Sequence, residues 1–187
     1  MRYFIGYIIT IGLLIVLILF LVSGGGGKKS GHGAAVPKLL NSYAYTDAEV
    51  RLVLDGPINA DENHQTIDIT VDSLDATYTQ TQGYDGTVVN SQTFPNTQNS
   101  YYAFLTALMQ EDYTAGTSLT GFNSDTGLCP LGDRYNFEII QNGQMLQNYW
   151  STTCGGVATF KGNIPSTLDL FEAQIPNYDS LSASVAL

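Results

Sequence analysis

The sequence predicts an α+β fold: an N-terminal transmembrane helix, then a mostly antiparallel sheet of about six strands packed on two helices in the order ββββαββα, with one disulfide. Three observations carry this prediction. Apolar and polar residues alternate in several short runs in the middle of the chain, and the period changes to helical spacing in two places. The only two cysteines, Cys129 and Cys154, stand at the two ends of a segment that reads as one β-hairpin.

The chain opens with "YFIGYIITIGLLIVLILFLV", Tyr3 to Val22, an uncharged run of the length needed to cross a hydrocarbon core of roughly 30 Å. A cleaved secretory signal usually has a shorter apolar region and a small-x-small site, so residues 1–23 read as an uncleaved signal anchor. No cysteine follows the run to accept a lipid. "SGGGGKKSGHG" comes next, and residues 24–38 read as a flexible, Gly-rich, basic tether. Residues 39–187 are then expected to form one α+β domain. Lys28, Lys29 and Lys38 against Arg2 favour a cytoplasmic domain by the positive-inside rule. The paired cysteines, the abundance of Thr, Tyr and Asn and the single lysine after residue 38 argue the other way. The expectation adopted is a single-pass cell-membrane protein with its C-terminal domain outside the cytoplasm. None of the asparagines sits in an Asn-x-Ser/Thr acceptor, which disfavours a eukaryotic glycoprotein.

Within the domain, Val50, Leu52 and Leu54 alternate with Arg51, Val53 and Asp55. Ile67, Ile69 and Val71 alternate with Thr66, Asp68, Thr70 and Asp72. Strands from Ala76 to Gln82 and from Thr87 to Phe94 flank "GYDG", a turn, so the first four strands read as a meander. In "NTQNSYYAFLTALMQED", Tyr101, Phe104, Leu105, Leu108 and Met109 fall on one helical face behind Asn96 or Thr97 as cap. "RYNFEII" and "QMLQNYWSTT" flank Asn142-Gly143, the dipeptide suited to a two-residue hairpin turn. "PSTLDLFEAQIP" predicts a second helix starting near Ser166, with Leu168, Phe171 and Ile175 on one face. "LSASVAL" carries too little pattern to place.

The cysteines have four readings. A redox pair would be Cys-x-x-Cys in a βαβ setting, and a zinc site would need more ligands than His64 can add. A nucleophilic cysteine would need a base, for which His64 is the only imidazole, and a lone loop histidine is usually solvated. The spacing favours the fourth reading, a disulfide across the hairpin ends, a staple contributing about 3 kcal/mol. No P-loop, Gly-x-Ser-x-Gly, His-Glu-x-x-His or dinucleotide fingerprint is present. Asp55, Asp61 and Glu62 could ligate calcium, though without EF-hand spacing, and Asp68, Asp72 and Asp75 could pair as glycosidase carboxylates. No metal and no cofactor is expected.

The charge bounds the partners. The whole chain carries −10, yet all seventeen carboxylates lie after residue 38, where only Arg51, Arg134 and Lys161 oppose them, leaving that region at −14. Such a field repels nucleic acid and anionic lipid and favours a basic protein or surface ligand. Asp68 and Asp72, alternating with Ile67, Ile69 and Val71, are the expected outward binding face. A non-catalytic binding or adhesion module is therefore the expected function, with a structural envelope or membrane-complex component as the alternative. An unrecognised enzyme would have to use His64 or the acidic strand faces.

The anchor and tether, with "VRLVLDGPI", "GYDGTVVNSQTFPN", "CPLGDRYNFEI", "WSTTCGGVATFKGN" and "LFEAQIPNY", resemble a family of small membrane-anchored surface proteins of ultra-small candidate-phylum bacteria. The resemblance implies a surface location. The family has no assigned activity, so it implies no catalytic residue.

Overall fold

Strand alternation dictates the centre of the molecule. In the computed structural model, which describes residues 39–117 and 124–185, β1 (Ala48–Asp55) buries Ala48, Val50, Leu52 and Leu54. Strand β2 (Gln65–Val71) buries Ile67, Ile69 and Val71 beside them. Strands β3 (Asp75–Gln82), β4 (Thr87–Pro95), β5 (Arg134–Gln141) and β6 (Gln144–Thr152) complete one six-stranded sheet of order β4-β3-β2-β1-β5-β6. Every neighbouring pair is antiparallel. The meander of the first four strands is thus extended on its other side by the β5–β6 hairpin, which joins through β1.

The helices close one face. α1 (Gln98–Gln110) begins at Thr97, whose side chain accepts a hydrogen bond from the Ser100 amide at 3.2 Å. It buries Tyr101, Phe104, Leu105 and Leu108, as the spacing predicts. α2 (Ile164–Glu172) starts earlier than the sequence reading placed it. Asn163 caps the Ser166 amide and Pro165 stands in the first turn, where its missing N–H is not needed. Phe171 of α2 meets Phe104 of α1 edge-on at 5.2 Å. A short α3 (Tyr178–Ser182) and a 3-10 helix at Leu40–Tyr45, neither anticipated, add to the same layer. Tyr78 of the sheet reaches α3, its hydroxyl donating to Leu181 O at 3.4 Å.

The turns hold as expected. Asn142 and Gly143 both take positive φ, the geometry of the two-residue hairpin turn. Cys129 and Cys154 are bridged, with Cα atoms 5.5 Å apart, just beyond the open end of the β5–β6 hairpin. A Cβ built on Gly132 would stand 2.4 Å from the Thr153 hydroxyl and 2.8 Å from Cys129 Sγ, so that position must stay a glycine for the staple to close.

The apolar run Tyr3–Val22 and the tether lie outside the described residues. Among the described residues, no helix is long and apolar enough to cross a membrane.

Candidate functional site

The face of the sheet opposite the helices is built by the polar half of each alternation. β1 sets Glu49 and Arg51 there, β2 sets Thr66, Asp68 and Thr70, and β5 sets Glu138, which lies directly opposite Arg51 in register. Arg51 donates to Asp68 Oδ2 from Nε at 2.6 Å and also from Nη2, and reaches Glu138 Oε2 from Nη1 at 3.2 Å. Asp68 Oδ1 accepts from the Thr70 hydroxyl at 3.2 Å. Beside this ion cluster runs a field of hydroxyls. Thr77 pairs with Thr93 at 3.2 Å and Thr79 with Ser91 at 3.3 Å across β3 and β4.

One guanidinium therefore pairs with two carboxylates, Asp68 and Glu138, and Glu49 on the same strand face is near enough to feel its charge. Burial raises the Glu49 carboxyl above its ordinary value, and Asp72 raises it further. Burial likewise raises Glu138; Arg51 opposes the shift, while Asp68 and Glu49 add to it. Asp133 and Glu172, elsewhere in the unit, are also raised chiefly by burial. A carboxyl whose folded value is raised binds protons more readily folded than unfolded, so the fold gains stability as pH falls through that folded value. The denaturant midpoint of residues 39–187 should accordingly rise as pH is lowered from neutrality toward the ordinary glutamate value of 4.5, at constant ionic strength. A midpoint that falls steadily over that interval would contradict the burial of these four groups.

The two residues expected to form the binding face part company. Asp68 lies on the outer face, tied to Arg51. Asp72 follows the last residue of β2 and spends its Oδ1 on the turn, accepting from the Leu74 amide at 2.6 Å and the Asp75 amide at 2.8 Å. Its carboxylate caps the β2–β3 connection. Glu138 and Glu49, which the sequence reading did not select, take its place around Arg51.

A second polar cluster closes the end of the sheet. Asp55, the last residue of β1, faces Arg134, the first of β5. Its Oδ2 accepts from Arg134 Nε at 2.9 Å and from Nη2, and its Oδ1 accepts from His64 Nε2 at 3.0 Å and the Thr66 hydroxyl at 3.2 Å. Arg134 Nη2 also donates to Gly56 O at 2.8 Å, and Asp125 Oδ2 stands 3.9 Å from Arg134 Nε. His64 is not the solvated loop residue expected from the sequence. It is 4% exposed, with Nδ1 at 3.2 Å from Pro57 O and its ring stacked on Tyr84 at 4.1 Å. Tyr84 OH in turn donates to Asn59 O at 3.0 Å. Its two ring nitrogens lie against Pro57 O and the Asp55 carboxylate, so His64 ties the β1–β2 loop to the sheet.

Two shallow concavities flank these features. One, of about 330 Å³, is lined by Asp61, Glu62, Gln82, Gly83, Asp85 and Thr87. The other, of about 340 Å³, lies between α2 and α3 beside Asp169, Glu172, Tyr178 and Asp179. His64 lines neither. The calcium reading of Asp55, Asp61 and Glu62 does not assemble: Asp55 is turned to Arg134 and His64, and Asp61 Oδ1 accepts from the Tyr84 amide at 2.7 Å. Among the described residues, no group of three or more His, Cys, Asp and Glu side chains is placed to hold a metal ion. No protein-family model matches the chain, and no curated protein matches it in sequence.

Proposed function

We infer that this chain is a single-pass anchored surface protein whose residues 39–187 form a non-catalytic binding module, and that the outer sheet face receives a cationic partner. One observation carries the reading: Asp68 and Glu138 share the single Arg51 on the side of the sheet away from the helices, with Glu49 two residues before it on the same strand face. The local excess of negative charge is partly desolvated, so a Lys or Arg side chain brought to it neutralises carboxylates that the fold itself leaves under-compensated. Rows of Thr and Ser hydroxyls alongside supply neutral donors and acceptors for the rest of such a contact. The span Tyr3–Val22, the tether and the resemblance to anchored surface proteins support attachment to a membrane. The Cys129–Cys154 bridge supports an oxidising compartment for the unit.

Hexalysine serves as a probe of the face. Its affinity for residues 39–187 should fall steadily as salt rises, because the attraction acts over a Debye length of about 8 Å at physiological ionic strength. Glu49→Gln with Asp68→Asn should weaken binding about tenfold at low salt, equivalent to about 1.4 kcal/mol. Asp169→Asn with Asp179→Asn removes the same charge from the helical side and serves as the control. Equal losses from both double variants would reduce the effect to net charge and remove the case for a site on the sheet.

A further inference from the structure

We propose that Glu49 makes the outer sheet face proton-gated: a proton taken up by its carboxylate displaces the cationic partner, so a contact held near neutrality is released in mildly acidic surroundings. The inference rests on the outer-face reading above and adds the regulation of that site.

The carboxylates of the face are not equivalent. Asp68 is fixed, its Oδ2 taking Nε and Nη2 of Arg51 and its Oδ1 the Thr70 hydroxyl. Glu138 takes Nη1 of Arg51 and is 6% exposed, too deep for a partner to reach. Glu49 is half-buried, and among the described residues its carboxylate makes neither a hydrogen bond nor an ion pair. Its lone pairs are open to a partner's ammonium or guanidinium group, and equally to a proton.

The surroundings of Glu49 favour the proton. In register it stands opposite Ile140 of β5, an aliphatic neighbour with nothing to donate. On the β2 side it feels Asp68 and Asp72, both negative, and on its own strand Arg51, the one cation, is already divided between Asp68 and Glu138. From α1 the titratable neighbour is Tyr101, whose hydroxyl donates to Ala48 O at 2.9 Å and so is spent on the backbone. Burial first, then Asp72, hold the Glu49 carboxyl above the ordinary glutamate value, with Arg51 pulling the other way. Glu138 faces Arg51, Asp68 and Glu49; the Tyr113 hydroxyl bonds its backbone O, and its β6 neighbour, Asn148, carries no charge.

Proton and partner therefore compete for one carboxylate. By linkage, a partner that prefers ionised Glu49 must drive a proton off as it binds, and the proton must weaken the partner by the same factor. Release is distinct from unfolding. Proton uptake by a carboxyl whose folded value is raised stabilises the fold, so affinity falls while the unfolding midpoint climbs.

The test is calorimetric titration of the full chain, in non-ionic detergent at low and constant ionic strength, with hexalysine, whose ammonium groups stay charged throughout. It is run in two buffers of different ionisation enthalpy, from neutrality down to the ordinary glutamate value of 4.5. Affinity should fall at least about tenfold over that range, with up to about one proton released per bound peptide. Glu49→Gln should weaken binding about threefold at neutrality and cut the proton release by at least about half. Asp169→Asn, which removes an exposed charge from α2, should release as many protons as wild type. Glu49→Gln that weakens binding yet releases as many protons as wild type would overturn the gate and leave the outer face as the site. Glu49→Gln with wild-type affinity at every pH would overturn both.

Discussion

Asparagine in place of Asp55 is expected to lower the unfolding free energy of residues 39–187 by about 3 kcal/mol, the range for removing one partner of a buried ion pair. Arg134 is 5% exposed, and the Asp55 carboxylate takes two of its N–H groups; the other anion near it, Asp125, is 3.9 Å away. The amide keeps the shape of the carboxylate and loses its charge. A guanidinium then stays buried against a neutral group. Denaturant unfolding at neutral pH should show the drop with an unchanged slope, while Glu62→Gln, an exposed acid in the neighbouring loop, stays within about 0.5 kcal/mol of wild type. A loss for Asp55→Asn no larger than that of Glu62→Gln would mean that water reaches Arg134 freely.

Removal of the staple should cost a comparable amount, about 3 kcal/mol by the loop-closure estimate, whether by reductant or by Cys129→Ser with Cys154→Ser. The loss should be felt locally as well. The segment that carries Cys129 is tied to the β1–β2 loop by the Ile58 amide, which donates to Pro130 O at 2.8 Å. It is tied to the end of β6 by the Asp133 amide on the Thr153 hydroxyl at 2.9 Å. Hydrogen exchange at Ile58 and Asp133 should therefore quicken in the reduced protein before exchange in β1 and β2 does. A midpoint indifferent to reductant would mean that these hydrogen bonds alone hold the hairpin end.

What the sequence made legible is what depends on near neighbours. The period-two runs located the strands because Ile67, Ile69 and Val71 need only the pleat to share a face, and Asn142-Gly143 located the hairpin because positive φ is a local demand. The cap of α1, read as Asn96 or Thr97 and found at Thr97, is a local demand of the same kind. The start of α2 was misplaced although Asn163 and Pro165 both signal it, since the stronger apolar pattern begins later. The candidate face was only half visible. Asp68 is outward by alternation alone, but its grouping with Arg51 and Glu138 requires that β5 return to the free side of β1, a contact across 87 residues that no local pattern encodes. Asp72 reads as the next outward residue until the strand is seen to end at Val71. His64 reads as a solvated loop residue because Tyr84, which covers it, is contributed by a different turn.

Most direct is a map of where a cation binds. Residues 39–187, labelled with nitrogen-15, are titrated with hexalysine at low salt and the backbone amide shifts are followed. The largest, saturable changes should fall on Glu49, Arg51, Asp68 and Thr70 of β1 and β2 and on Glu138 of β5, and should vanish in the Glu49→Gln with Asp68→Asn variant. Changes centred instead on Asp169, Glu172 and Asp179 beside α2 and α3, or spread evenly over the acidic surface, would contradict a site on the outer face.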